Sequence, residues 1–161
     1  MDWICKAVIQ ARSEVPELSL DIYGVGGERE KLETIIRDNN ASDYIYLMGQ
    51  HDLSEVYQNY EAYIAGSTSE GFGLTLMEAV GGGLPIVGFD VRYGNPTFIR
   101  NGENGYLISL PEEDKDKIEA LRKGIVDLFK QDLGKCHEVS YEVAKDCLTS
   151  KVQEKWREAV C

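Results

Sequence analysis

Two glutamates, Glu70 and Glu78, flank a glycine-rich junction that runs Gly71-Phe72-Gly73-Leu74-Thr75. The residues before it, Ala62–Ala65, read as a strand. Those after it, from about Gly73 to Val80, read as a helix. The first amides of a helix lack a partner within it and carry the positive end of its dipole. The N–H groups of Gly73, Leu74 and Thr75 would therefore face an anion. A carboxylate beside a diphosphate repels it, but carboxylates also accept hydrogen bonds, and sugar hydroxyls donate them. Glu70 would then hold a transferred sugar and Glu78, about two turns on, a ribose, with the phosphates between them. Two glutamates at this spacing alone are ordinary surface residues. The glycines and the strand-to-helix placement make them candidates.

Two further loops follow strands. Gly24-Val25-Gly26-Gly27-Glu28-Arg29 closes the strand Leu18–Tyr23. Gly24 and Gly26 would let backbone approach a ligand closely. The run opens like the dinucleotide fingerprint G-x-G-x-x-G, but Arg29 stands where the last glycine belongs. Asp43, near the expected acidic position, precedes a strand instead of ending one. A plain strand-to-helix turn accounts for this run equally well. The third loop, Gly49-Gln50-His51-Asp52, follows the strand Tyr44–Leu47. Gly49, Gln50 and His51 would border a flat base, or His51 would be a solvated loop histidine.

The elements that must position these loops alternate. A helix is expected over 2–14, closed by Pro16, and another over Glu28–Asn39. A short helix capped by Asp52 or Ser54 would reach Tyr60. The helix from Gly73 ends at Gly81-Gly82-Gly83. Strands follow at Ile86–Phe89 and Tyr106–Ser109, with a turn or helix over 94–100 between them. Helices over about 112–131, 139–147 and 150–160 complete the chain. Short strands separated by helices predict a parallel sheet with helices on both faces, a Rossmann-like α/β sandwich, in one domain over 1–161. Ligands bind such sheets at the carboxyl ends of strands. The chain opens on a helix, whereas a doubly wound sheet opens on a strand, which lies centrally in the 3-2-1-4-5-6 order. The sheet is therefore expected to lack its first strand. The strands at 18–23 and 62–65 would lose their common neighbour and either pair directly, fill the place intermolecularly or leave a gap.

Composition narrows the partners. The net charge is −11, from 28 acidic and 17 basic residues. Nucleic acid and anionic membrane both call for clustered lysine and arginine, so neither is an expected partner. A diphosphate would have to rest on backbone amides. No run approaches the roughly 20 apolar residues of a membrane helix, and the start lacks the marks of a signal peptide. A soluble cytoplasmic protein is expected. Cys5, Cys136, Cys147 and Cys161 have no metal-ligand spacing and read as reduced thiols, and no metal is expected.

Glu70-Gly71-Phe72-Gly73-Leu74 through Glu78-Ala79, followed by Gly83-Leu84-Pro85-Ile86-Val87, resembles the C-terminal domain of family 4 retaining glycosyltransferases of the GT-B fold. Asn101-Gly102-Glu103-Asn104-Gly105-Tyr106-Leu107 and Leu20-Asp21-Ile22-Tyr23-Gly24-Val25-Gly26 resemble two further blocks of that family, in order. The phrases are most similar to bacterial glucosaminyltransferases of serine-rich adhesins and to poly(glycerol-phosphate) glucosyltransferases of teichoic acid synthesis. The resemblance implies a UDP-sugar donor, UDP-GlcNAc or UDP-glucose, and retention without a metal. It implies that Glu70 contacts the donor sugar and acts in catalysis, that Glu78 contacts the ribose, and that the backbone of Gly71–Thr75 holds sugar and diphosphate. It implies that Gly49–His51 border the uracil. In that family an upstream strand brings an arginine and a lysine to the diphosphate, and an N-terminal domain binds the acceptor. Neither stands in these residues, so the chain alone is expected to be inactive. Arg92 stands where close relatives would carry proline. Two other readings are a nicotinamide-dependent oxidoreductase domain, which the broken run at 24–29 disfavours, and a non-catalytic nucleotide-binding or interaction module of the same fold.

Overall fold

The computed structural model describes residues 1–160 of the chain. Five strands form: β1 (Leu20–Tyr23), β2 (Ile45–Gly49), β3 (Tyr63–Ala65), β4 (Ile86–Phe89) and β5 (Gly105–Ile108). The helices are α1 (Asp2–Ala11), α2 (Arg29–Asp38), α3 (Leu74–Gly81), α4 (Gly94–Phe98), α5 (Asp114–Phe129), α6 (Leu133–Lys145) and α7 (Thr149–Val160).

Every strand pairing is parallel, as the alternation of strand and helix requires. Strand side chains alternate between two cores. Ile22, Ile45, Leu47, Ile64, Val87, Phe89, Tyr106 and Ile108 face one side, where α1, α2 and α5 supply Ile4, Val8, Leu32, Ile36, Leu121 and Ile125. Tyr63, Ala65, Ile86 and Leu107 face the other, where α3, α4 and α6 supply Leu76, Val80, Phe98 and Val143. All four residues of β4 are buried, as expected of a strand covered on both faces. Each fully buried aliphatic side chain contributes about 1.5–3 kcal/mol.

The strands do not form one sheet. β1 pairs with β2 alone, and β3, β4 and β5 form a second sheet in that order. Of the three outcomes expected, direct pairing of β1 with β3 is not found; the two sheets stand apart. Leu20 donates its amide to Tyr44 at 2.8 Å and Gly24 to Gly49 at 2.6 Å, so these β1 residues face β2. Tyr63 donates to Pro85 at 2.9 Å, so it faces β4. Because residues of a parallel strand bond to the two sides in turn, the backbone groups of Asp21, Tyr23 and Ile64 belong to edges that no described strand pairs.

Several element bounds differ from the sequence reading. α1 stops at Ala11, with 12–14 in turns that still bond back to its last carbonyls. The helix placed over Asp52–Tyr60 is a single 3-10 turn, Tyr57–Asn59. Asp52 does accept the Ser54 amide, at 3.0 Å, but that local turn does not propagate into a helix. α6 starts at Leu133 instead of 139, because the Asp132 side chain accepts the Lys135 amide and caps it. Ser140 is buried on α6 and bonds to Leu84 and Asn104, an anchoring role that its polarity conceals in the sequence.

Candidate donor site at the start of α3

α3 begins abruptly. Gly73 precedes it at φ +83°, a left-handed conformation, and no side chain caps the helix. Gly73 is the buried N-cap residue, and the first intrahelical bond runs from Met77 to its carbonyl, so the amides of Gly73, Leu74 and Thr75, with that of Leu76, are the ones that lack an intrahelical partner. Around this tip the chain is open: Phe72 is 57% and Leu74 63% exposed. The phenyl ring of Phe72 stands edge-on to Phe98, with ring centroids 5.7 Å apart.

Glu70 is half-buried at the entrance. Its backbone is fixed by the segment before α4: it accepts the Tyr93 amide at 2.7 Å and donates to Arg92 at 3.4 Å. Its side chain lies against Gly94, where an added Cβ would stand 2.6 Å from the Glu70 Cγ. Arg92, where proline was expected, thus supplies a backbone acceptor while its side chain is exposed. Glu78 is exposed farther along α3 and accepts a hydrogen bond from the Tyr57 hydroxyl at 3.0 Å.

Glu70 and Glu78 both act on Tyr63: burial pushes its phenol above the ordinary range, Thr75 draws it down, and the two carboxylates each add to the rise. They open into separate clefts. One, of about 370 Å³, is lined by Glu70, Thr75 and Leu76 together with β3 and Ser67. The other, of about 450 Å³, is lined by Glu78, Asp52, Ser54, Tyr57, Gln58 and Gly81.

The other two loops meet each other rather than the helix tip. The Gly24 amide donates to Gly49 across β1 and β2. His51 is exposed, bonds to the Met48 carbonyl at 2.9 Å and stands edge-on to Tyr23, with ring centroids 5.7 Å apart. Gly26 and Gln50 are exposed at the same strand ends. Tyr60 donates to Asp21 at 2.6 Å, which leaves Tyr23 to donate to Tyr60, also at 2.6 Å. Burial, then Asp21 and Tyr23, push the Tyr60 phenol far up, so it stays a donor. Sequence reasoning missed Tyr23, Tyr57 and Tyr60. Tyr57 and Tyr60 flank one 3-10 turn, but their partners Glu78 and Asp21 lie on other elements, and no spacing signals those contacts.

Among the described residues, no three of His, Cys, Asp and Glu come together as a metal would require. Cys5, Cys136 and Cys147 are free, and burial raises the Cys5 thiol to about 11. Cys161 lies outside the described residues. His137 does not approach a metal site with Cys136; its Nδ1 bonds to the Gly83 carbonyl at 2.8 Å. No helix among the described residues is long and apolar enough to cross a membrane.

The parallel α/β sandwich is the fold of the C-terminal half of GT-B glycosyltransferases. Residues 1–131 match the family "Glycosyl transferases group 1", and the chain belongs to it. It is 52% identical over 163 residues to the UDP-N-acetylglucosamine–peptide N-acetylglucosaminyltransferase GtfA subunit of Limosilactobacillus reuteri, covering 99% of this chain and 32% of that protein. It is 33% identical to the poly(glycerol-phosphate) alpha-glucosyltransferase of Bacillus subtilis, covering 94% of this chain and 22% of that protein. The crystal structure of the pneumococcal O-GlcNAc transferase GtfA in complex with UDP and GlcNAc superposes with a TM-score of 0.92 at 49% identity, over 99% of this chain and 32% of that one. The chain thus spans about a third of the length of the GtfA proteins it matches.

Gly73 offers a direct check on the tip. A Cβ there would stand 2.5 Å from Leu76 Cδ1 and 3.4 Å from Glu70 Cγ, in a left-handed conformation that costs an L-residue about 1–2 kcal/mol. Gly73→Ala is expected to lower the melting temperature by about 2–8 °C and to weaken binding of inorganic pyrophosphate several-fold, by calorimetry. Unchanged pyrophosphate affinity in a destabilised variant would separate Gly73 from the anion site.

Proposed function

We propose that this chain binds the donor for a retaining transfer of a hexose or N-acetylhexosamine from a UDP-sugar to a protein or polymer acceptor. The observation that carries this reading is the uncapped, solvent-open start of α3 between Glu70 and Glu78. The Leu74, Thr75 and Leu76 amides would take the diphosphate and stabilise the negative charge that grows on UDP as the sugar leaves. Glu70 would accept from hydroxyls of the sugar, Glu78 from those of the ribose. Gly49–His51, beside Gly24 and Gly26, would border the uracil. The acceptor hydroxyl attacks on the leaving group's own face, and the departing diphosphate takes its proton, so the chemistry asks for neither metal nor protein nucleophile. UDP-GlcNAc is favoured over UDP-glucose by the two similar GtfA proteins, one named for that donor and the other solved with UDP and GlcNAc.

The acceptor and the remaining diphosphate contacts would come from further polypeptide. The gap between β1 and β3 suits one more parallel strand, from the same protein or intermolecularly. Leu148, Val152 and Trp156 form an exposed stripe four residues apart at and along α7, suited to packing on another domain.

Calorimetric titration with UDP tests the reading, and we expect saturable 1:1 binding. Fluorescence titration with NADH should give no binding signal, and no sugar transfer should occur with this chain alone. UDP binding absent at millimolar ligand would refute the donor site. NADH binding in its place would restore the oxidoreductase reading, and measurable transfer would show that no further domain is needed. Binding of UDP by a full-length relative-sized protein without transfer would favour the non-catalytic module.

A further inference from the structure

Tyr57 lies 21 residues before Glu78, on the 3-10 turn Tyr57–Asn59, and only 8% of it is exposed. Its ring belongs to the core under α3, with Ala79, Val80 and Leu84, and stands tilted to Tyr63 at 6.4 Å between centroids. The ring is wedged against the end of α3: a Cβ on Gly82 would stand 2.6 Å from the Tyr57 Cβ. From this fixed base the hydroxyl reaches out to the Glu78 Oε2. Glu78 itself is exposed, and a glutamate on a helix surface ordinarily samples several rotamers. Here one oxygen is tied to a group that cannot move.

We infer that Tyr57 is a positioning residue that locks the Glu78 carboxylate for recognition of the ribose diol. The inference rests on the reading of Glu78 as the ribose ligand and adds to it the residue that aims it. A carboxylate offers about four lone-pair positions. One is spent on Tyr57 at Oε2, which leaves Oε1 free in a residue that lines the cleft of about 450 Å³. Two adjacent hydroxyls of a ribose can donate to such a carboxylate together, provided it does not rotate. Tyr57 serves as a permanent donor: burial first, and Glu78 second, push its phenol far above the ordinary range, so it does not become a competing anion. Asp52, Ser54 and Gln58 line the same cleft, but no hydrogen bond from any of them to Glu78 is present, so Tyr57 alone among them sets its orientation.

The test compares UDP with 2′,3′-dideoxy-UDP, which lacks both hydroxyls, by calorimetry on the unaltered chain, Tyr57→Phe and Glu78→Ala. Tyr57→Phe keeps the buried ring, so its melting temperature should stay close to that of the unaltered chain. We expect the unaltered chain to prefer UDP by tenfold or more. In Tyr57→Phe, UDP should bind roughly 3- to 10-fold more weakly and dideoxy-UDP as before, so that the preference shrinks. A merely structural role would weaken both ligands equally, and that result would overturn the inference. A preference lost in Glu78→Ala but kept in Tyr57→Phe would overturn it too, while leaving Glu78 as the ribose ligand. No preference in the unaltered chain would remove both.

Discussion

Glu78→Ala is expected to weaken UDP binding by roughly 10- to 100-fold while leaving the fold intact. Glu78 is exposed on α3, and its recorded side-chain bond is the one from Tyr57. Hydrogen bonds to a charged group are worth about 1.5–3 kcal/mol each, and about 1.4 kcal/mol is tenfold in affinity. Losing one such bond to the ribose therefore already shifts the dissociation constant by about one to two decades. The stability cost should be small, because alanine is the best helix former and little surface is uncovered. The Tyr57 hydroxyl, left without its acceptor, opens on the same cleft and can be met by water. Calorimetry with UDP, paired with a thermal melt, measures both quantities. An affinity within twofold of the unaltered chain would remove Glu78 from the site. A melting temperature that falls with the affinity would mean the loss came through the fold.

Gly105→Ala is expected to bring the largest loss of stability in the chain. Gly105 opens β5 opposite Ile86 at φ +142°. A Cβ at this position would lie 1.8 Å from the Ile86 carbonyl oxygen and 2.7 Å from its carbon. The obstacle is backbone, and it cannot rotate away. Ile86 also donates to the Asn104 carbonyl at 2.9 Å, so β4 cannot retreat without breaking the ladder on which the fully buried β4 depends. The expected cost exceeds about 4 kcal/mol, a large part of the roughly 5–15 kcal/mol that holds a domain of this kind. Thermal or urea denaturation should show a melting temperature lower by about 8–16 °C, or no soluble protein. Gly102→Ala is the control. Its φ is +81°, but no atom lies within 4 Å of an added Cβ, so it should cost only the left-handed strain, about 1–2 kcal/mol. Equal losses in the two variants would show that the approach to Ile86 is not what requires glycine.

The same block illustrates what a motif does and does not disclose. Asn101-Gly102-Glu103-Asn104-Gly105 reads as a turn between a helix and a strand, and that is what it is. The structure adds that Asn104 is fully buried, accepts the Arg100 amide at 2.7 Å and donates to Phe98 and Ser140. It ties α4, the turn and α6 together. A resemblance that spans this block is thus partly a resemblance of packing, not of ligand contacts.

The strands, the helices and their order were legible because each carries local signals. Hydrophobic period, capping residues and glycine stops act within a few residues of one another. The candidate site was proposed for a similar reason: the tip of α3, Gly73 and the two glutamates lie within nine residues, 70–78, so one strand-to-helix turn brings them close in the chain. Whether β1 and β3 would pair or stand apart was left open by the order of elements, and the structure shows two separate sheets. Tertiary structure decided the rest. Only folding brought Tyr57 beneath Glu78, Tyr60 onto Asp21, and Asn104 onto Ser140, because these contacts join residues 21, 39 and 36 positions apart. Such pairs leave no periodic trace: each is set by how two elements lie across a shared core. It was likewise the tertiary structure that gave the two glutamates separate clefts, because Glu70 is held by the backbone of Arg92 and Tyr93 while Glu78 emerges from α3.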